Sequence, residues 1–154
     1  MKQATLCLLM KEDKILLAMK KRGFGVGRWN GVGGKPKDGE AIEAATVREA
    51  EEEIGVKIKT EHLEKVAELS FFFPDKEEWN QTVHVFLARS WDGDPVESEE
   101  MRPSWFSHAD IPFHQMWPDD IHWLPAVLSG NKLKGEFHFS DAGNTIGKFS
   151  IREI

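Results

Sequence analysis

Between Gly34 and Val56 the chain carries an ordered series that limits what can surround it. Gly34 is followed by Glu40, then by Arg48-Glu49, the pair Glu52-Glu53, and Ile54-Gly55-Val56. Good helix formers fill this stretch, among them Ala41, Ala44, Ala45, Arg48, Ala50 and the glutamates, and Gly55 suits a helix end. The pattern predicts a helix from Glu40 to Gly55. At about 100° per residue, Glu49, Glu52 and Glu53 share about one-third of its circumference, while Val47, Ala50 and Ile54 gather opposite. The apolar side is an ordinary core contact. The acidic side brings together carboxylates that repel one another. Charge alone would fit a solvated face; the ordered context singles this one out.

The flanking segments read as strands. Ala4–Met10 and Lys14–Met19 are apolar runs around the polar turn Lys11-Glu12-Asp13, which predicts a strand pair. Glu64–Phe73 and Thr82–Ala88 are strand-like and joined through Pro74-Asp75-Lys76; Met101–Ser107, Leu133–Phe139 and Thr145–Ile151 complete the set. Asp119–Leu128 reads as a second helix, with Asp119 or Asp120 placed to cap its start. Together they predict an α/β fold, a mixed β-sheet sandwiched between α-helices, in one domain spanning residues 1–154. The glycine-rich stretch Gly23 to Gly34, interrupted by Phe24, Trp29, Asn30 and Val32, lets the backbone approach a ligand closely.

A net charge of −6 argues against a general nucleic-acid binder, which needs a basic surplus to displace counterions. It leaves room for one small anionic ligand, because a metal ion and a few lysines can reverse the field inside a cleft. Cys7 is the only cysteine and lies in an apolar run, so no intrachain disulfide is available and a buried structural thiol in a reducing compartment is expected. No signal-peptide pattern and no bilayer-length apolar stretch is visible, and a cytoplasmic address is expected. The histidines show no metal-ligand spacing and read as structural or exposed.

The series from Gly34 to Val56 resembles the signature of the Nudix family at every fixed position, with one departure at Ala50, where the family places a bulkier aliphatic. The resemblance implies the Nudix fold and Mg²⁺-dependent hydrolysis of a nucleotide phosphoanhydride, with Mn²⁺ as a substitute ion. It carries metal ligation onto Glu49, Glu52 and Glu53, assisted by the Gly33 carbonyl, with Glu100 as a further candidate. Such a hard cation takes oxygen ligands and activates water beside a phosphate chain. The general base lies among Glu52, Glu53 and Glu100. Arg48 stands one turn from Glu52, in reach to orient it or to form a plain surface ion pair. Glu40 reads as a structural residue where loop meets helix.

Runs outside the signature, including Met19-Lys20-Lys21-Arg22-Gly23-Phe24-Gly25, Gly27-Arg28-Trp29-Asn30-Gly31 and Met116-Trp117-Pro118-Asp119-Asp120, are similar to the animal MutT homologues, Nudix enzymes that sanitise oxidised purine nucleoside triphosphates. That likeness implies a base pocket walled by Thr5, Leu6, Phe24, Phe71, Phe73, Trp117 and Trp123, with Val32, Gly33, Gly34 and Pro118 alongside. It makes Lys20 and Lys35 the phosphate or ribose contacts. Gln81 stands where those enzymes carry methionine near the pocket floor, which points to a different selectivity. Phe86 and Phe106 read as core. Aromatic planes suit a purine because stacking needs no particular edge pattern.

Asn30, Asp119 and Asp120 would read the purine edge. Oxidation at the 8-position turns N7 from acceptor into N–H donor, and a carboxyl group changes from acceptor to donor when protonated. Two adjacent aspartates in an apolar pocket do not both ionise easily, so one is expected to hold a proton. Exchanging which one holds it would admit both 8-oxo-guanine and 2-oxo-adenine. The expectation is therefore an enzyme, monomeric, that converts oxidised purine (deoxy)nucleoside triphosphates such as 8-oxo-dGTP and 2-oxo-dATP into monophosphate and pyrophosphate. Its partner is a small-molecule nucleotide, not nucleic acid or a membrane. The alternatives are a Nudix hydrolase for a methylated purine nucleotide or a nucleotide sugar, and a nucleotide-sensing module without catalysis. The mark of the last would be loss of Arg48, Glu49, Glu52 or Glu53, and all of them are present.

Overall fold

The computed structural model describes residues 1–154. Strand β1 (Lys2–Lys11) is buried from Ala4 to Met10 without a break because both of its faces are covered. Ala4, Leu6, Leu8 and Met10 enter one core, while Cys7 and Leu9 enter a second. β2 (Lys14–Lys20), β3 (Trp29–Asn30), β4 (Leu63–Phe72), β5 (Gln81–Ala88), β6 (Met101–Ser107), β7 (Leu133–Ser140) and β8 (Thr145–Glu153) complete the sheet. Their order is β3-β2-β1-β5-β4-β7-β8, with β6 paired to β2. β1 pairs with β5 and β4 with β7 in parallel, and the remaining pairs are antiparallel, so the sheet is mixed as expected.

The predicted β1–β2 pair forms only near its turn, from Leu9–Leu16 to Lys11–Lys14. Beyond that point β2 pairs with β6 along its whole length. The edge of β1 that β2 leaves is taken by the glycine-rich segment: Cys7 N–H donates to Val32 O at 2.6 Å and Thr5 N–H to Gly34 O at 2.8 Å. Only glycine fits there, because a Cβ on Gly33 would lie 1.9 Å from the Thr5 carbonyl oxygen. Strand separation thus opens a cleft, and bare backbone lines it.

Helix α1 (Ile42–Ile54) covers the second core with Ala50 and Ile54, and α2 (Asp120–Leu128) drives Trp123, Leu124 and Val127 into the first. Because β1 alternates between these cores, the helices lie on opposite faces of the sheet. α1 stops at Gly55, whose left-handed φ of 74° lets its N–H bond to Glu51 O. It starts at Ile42, two residues after the expected start, because Ala41 is extended; Glu40 stands at the junction of loop and helix, as read, both its carboxylate oxygens accepting from Arg48. The expected aspartate cap of α2 is also corrected. Neither aspartate makes a side-chain cap bond, and Asp119 Oδ2 instead accepts the Trp123 indole N–H at 2.7 Å. Cys7 is fully buried, and desolvation pushes its thiol up to about 12, as befits a structural residue.

Candidate active site

A cavity of about 550 Å³ opens on the α2 side of the sheet. Its apolar walls are built by period-two alternation: Ala4 and Leu6 from β1, Leu69 and Phe71 from β4, and Val83 from β5 all point the same way. Phe73 stacks on Phe139 with centroids 4.6 Å apart, and both meet the Trp117 ring edge to face. Trp117 sits so close to the β7–β8 turn that a Cβ on Gly143 would lie 2.9 Å from its ring. Phe24, from the 23–27 loop, approaches Trp117 at 5.1 Å and Trp79 at 5.0 Å.

Asp119 and Asp120 line this cavity, each only 3% exposed. Pro118 begins the turn that aims them inward, with Asp120 N–H bonded to Trp117 O at 3.1 Å. Asp119 has the Trp123 N–H as partner, whereas Asp120 Oδ2 is buried with none. Desolvation pushes the Asp119 carboxyl up to about 6. The same burial, reinforced by the charge of Asp119, holds Asp120 well above the ordinary carboxylate range. Burial and like charge thus both oppose ionising the two carboxyls together. Asn30 presents its amide nearby, its Oδ1 accepting the Gly31 N–H while its NH₂ has no protein partner.

The glutamates do not line the cavity. They stand on the α1 face, and the segment Gly33–Lys35 separates the two regions while lining the cavity itself. A Cβ on Gly34 would fall 2.5–2.7 Å from the carboxylate atoms of Glu49, so that carboxylate rests on bare backbone. Glu53 is 5% exposed; its Oε1 accepts the Gly33 N–H at 3.4 Å and its Oε2 has no partner. Desolvation first, and the charge of Glu49 next, push the Glu53 carboxyl up to about 8. Burial also raises Glu49, against the opposing pull of Arg48.

Arg48 is the hub of this cluster. Its guanidinium donates to Glu40 at 2.9 Å, to Glu49 at 2.9 Å, to Glu52 at 3.2 Å and to the Lys35 carbonyl at 3.0 Å. Holding Arg48 in a fork drops the Glu40 carboxyl to about 2. The reading of Arg48 as orienting Glu52 thus meets a larger role, in which it ties the loop to the helix. The expected ligand set is not gathered at one point: no three or more His, Cys, Asp or Glu side chains converge in ligating geometry. Arg48 engages Glu49 and Glu52, and Glu100 faces Arg22 at 3.6 Å.

Of the residues expected at the pocket, Thr5, Leu6, Lys20, Phe24, Asn30, Gly33, Gly34, Lys35, Phe71, Phe73, Gln81, Trp117, Asp119, Asp120 and Trp123 do line the cavity. Val32 and Pro118 do not. Val32 turns into the second core through its bridge with Cys7, and Pro118 stands outside as the corner of its turn. Phe86 and Phe106 stay out of the cavity, the former buried and the latter packed on Trp29 at 4.9 Å. Residues the sequence reading passed over include Arg28, Trp79, Met101 and Phe139. Sheet pairing brings Phe139 there from the other end of the chain, and no local signal marks it.

Residues 1–127 match the family model described as NUDIX domain. The chain is 48% identical over 150 residues to the oxidized purine nucleoside triphosphate hydrolase of Mus musculus, covering 97% of this chain and 94% of that one. It is 47% identical over 138 residues to the protein of the same name in Danio rerio, covering 90% and 86%. Among solved structures it resembles a mutator MutT protein from Bacillus halodurans, with a TM-score of 0.84, 25% identity and coverage of 98% and 97%. Glutamate helix, glycine-lined cleft and these likenesses agree: the chain belongs to the Nudix family.

Proposed function

We propose that this chain is a Mg²⁺-dependent diphosphatase that converts oxidised purine nucleoside triphosphates, 8-oxo-dGTP and 2-oxo-dATP among them, into the monophosphate and pyrophosphate. The observation that carries the substrate is the pair Asp119–Asp120, buried in an aromatic cavity with Asp120 Oδ2 left unpartnered. An unpartnered buried carboxyl is costly unless a ligand completes it. The protonated member donates to a base oxygen, and the ionised member accepts from a base N–H. An 8-oxo-purine presents both groups. Moving the proton between the two aspartates matches 2-oxo-adenine by the same two oxygens. Trp117 offers the plane on which the base lies, and Asn30 a further donor.

The donor set fits a hard divalent cation. Glu53 Oε2 is a buried oxygen without a partner, and Glu49, Glu52 and Glu100 add only carboxylate oxygens. Glu49, Glu52 and Glu53 would hold the ion, with the Gly33 carbonyl and Glu100 beside them; Mn²⁺ suits the same oxygens. When bound, it supplies charge neutralisation for the phosphates and an acidified water. The chain's own residues do the rest. Arg48 fixes Glu49 and Glu52 in place, and Gly33–Lys35 keeps the cluster next to the cavity. Lys20 and Lys35, both lining the cavity, bind the phosphate chain between the two regions. The general base is among Glu52, Glu53 and Glu100. Product analysis tests the reaction: incubation of 8-oxo-dGTP with Mg²⁺ should yield monophosphate and pyrophosphate, and formation of the diphosphate with orthophosphate would contradict it.

A further inference from the structure

Arg28 is the one cation set against the base-reading groups. Its guanidinium carbon lies 4.1 Å above the centroid of the Trp117 ring, and its Nη2 donates to Asn144 Oδ1 at 2.9 Å. Asn144 is itself fixed, its amide donating to the Asp141 carbonyl at 2.8 Å, in a turn where Asp141 and Ala142 both adopt positive φ. Gly25 and Gly143 also come close to the ring, and Phe24 tilts beside it at 5.1 Å. A planar, weakly hydrated cation suits the face of an indole in a way that an ammonium does not.

The geometry points to Arg28 as a positioning residue of the base pocket, holding the Trp117 plane from one face and placing a fixed positive charge beside the Asp119–Asp120 pair. The charge reaches both aspartates and draws each carboxyl downward, against the burial that raises them. The other charged side chains lining the cavity are Lys2, Lys20, Lys35 and Glu78, while Trp123 is the neutral partner on α2. Arg28 thereby adds to the Trp123 N–H, which donates to Asp119 at 2.7 Å, in favouring an ionised member of the pair, so that the pair offers one donor and one acceptor. The inference rests on the base-pocket reading above, and its test is separable from it.

The test uses Arg28→Lys, Arg28→Gln and Arg28→Met in the full chain. Carbon-detected NMR titration of the aspartate carboxyls, without nucleotide, reads the charge directly. Arg28→Gln and Arg28→Met should raise the titration of the Asp119–Asp120 pair by about one pH unit, and Arg28→Lys should restore it. In steady-state assays on 8-oxo-dGTP, the acid limb of kcat/KM should move up by the same amount in Gln and Met, and not in Lys. KM should rise about fivefold in Lys and Met, where the planar group is lost. A merely structural residue would lower stability in all variants and leave the titration where it is. Unmoved titration in Arg28→Gln and Arg28→Met overturns the inference, whatever the activity. Normal carboxyl shifts in a protein that ignores oxidised purines would instead overturn the base-pocket reading and leave Arg28's charge role standing.

Discussion

Gly34→Ala should disable the enzyme while sparing the fold. Gly34 does not need a glycine's backbone freedom, since its φ is not positive. What it needs is the space above its Cα. A Cβ there would lie 2.5 Å from Glu49 Cδ and 2.7 Å from each carboxylate oxygen, where an ordinary contact is 3.4–4 Å. The obstacle is the far end of a flexible side chain, so relief comes from Glu49 retreating by about 1 Å, and a displacement of that size costs roughly 100-fold in rate. Arg48, which donates to the same carboxylate at 2.9 Å, would follow or lose that bond. Gly33→Ala makes the contrast, because its Cβ would sit 1.9 Å from the backbone oxygen of Thr5 and no side chain can yield. That change should cost about 1–3 kcal/mol of stability. The assay is initial rate against Mg²⁺ concentration, together with thermal melting. Gly34→Ala should melt close to the wild type, with kcat/KM down about 100-fold. Wild-type rates in Gly34→Ala, or melting as poor as that of Gly33→Ala, would refute the reasoning.

Trp117→Ala should raise KM for an oxidised purine about 10- to 100-fold, the worth of one base–aromatic stack, and an unchanged KM would place the base elsewhere. Asp120→Asn should alter turnover of both 8-oxo-dGTP and 2-oxo-dATP and their pH profiles; if neither moves, proton exchange between the aspartates is wrong. The same variant carries a stability signature with a definite sign. Burial raises both carboxyls in the folded protein, so the stability linked to them is present below pH about 4 and lost as pH rises through about 6 and above. Asp120→Asn should therefore melt higher than the wild type at pH 8, by about 3 °C per kcal/mol, with the gap closing by pH 4; an equal gap at both would contradict the assignment. Glu53→Gln should remove activity and weaken Mg²⁺ binding in calorimetry without lowering the melting temperature, since its Oε2 has no partner to lose. Chelation should silence the wild type, and added Mg²⁺ should restore it.

The glutamate helix was readable because its evidence is local: strong helix formers, one apolar side, and a glycine stop at Gly55. Its start lies two residues later than propensity suggests, while Glu40 stands where loop meets helix, as read, tied there by Arg48 through a contact that propensity does not encode. Asp119 looked like a cap for a similar reason, until an indole N–H four residues on proved to be its partner. β3 covers only Trp29 and Asn30 within the glycine-rich loop, too short for any periodicity. In the pocket, residues carried by runs of sequence likeness were found, apart from Val32 and Pro118. Phe139 and Arg28 were not, because one arrives through strand pairing and the other is an ordinary basic residue until Trp117 lies beneath it.

In the proposed function labour is divided: the glutamate helix would cleave, and the aromatic cavity with its two aspartates would choose the base. Parallel kcat/KM measurements on 8-oxo-dGTP, 2-oxo-dATP, methylated dGTP and dATP, and unmodified dGTP, in Mg²⁺ at neutral pH, test it most directly. The oxidised nucleotides should exceed dGTP by about tenfold or more, as befits a site whose buried polar groups are left unpaired by the wrong base. Equal or faster turnover of unmodified dGTP, or a leading preference for the methylated nucleotides, would contradict it.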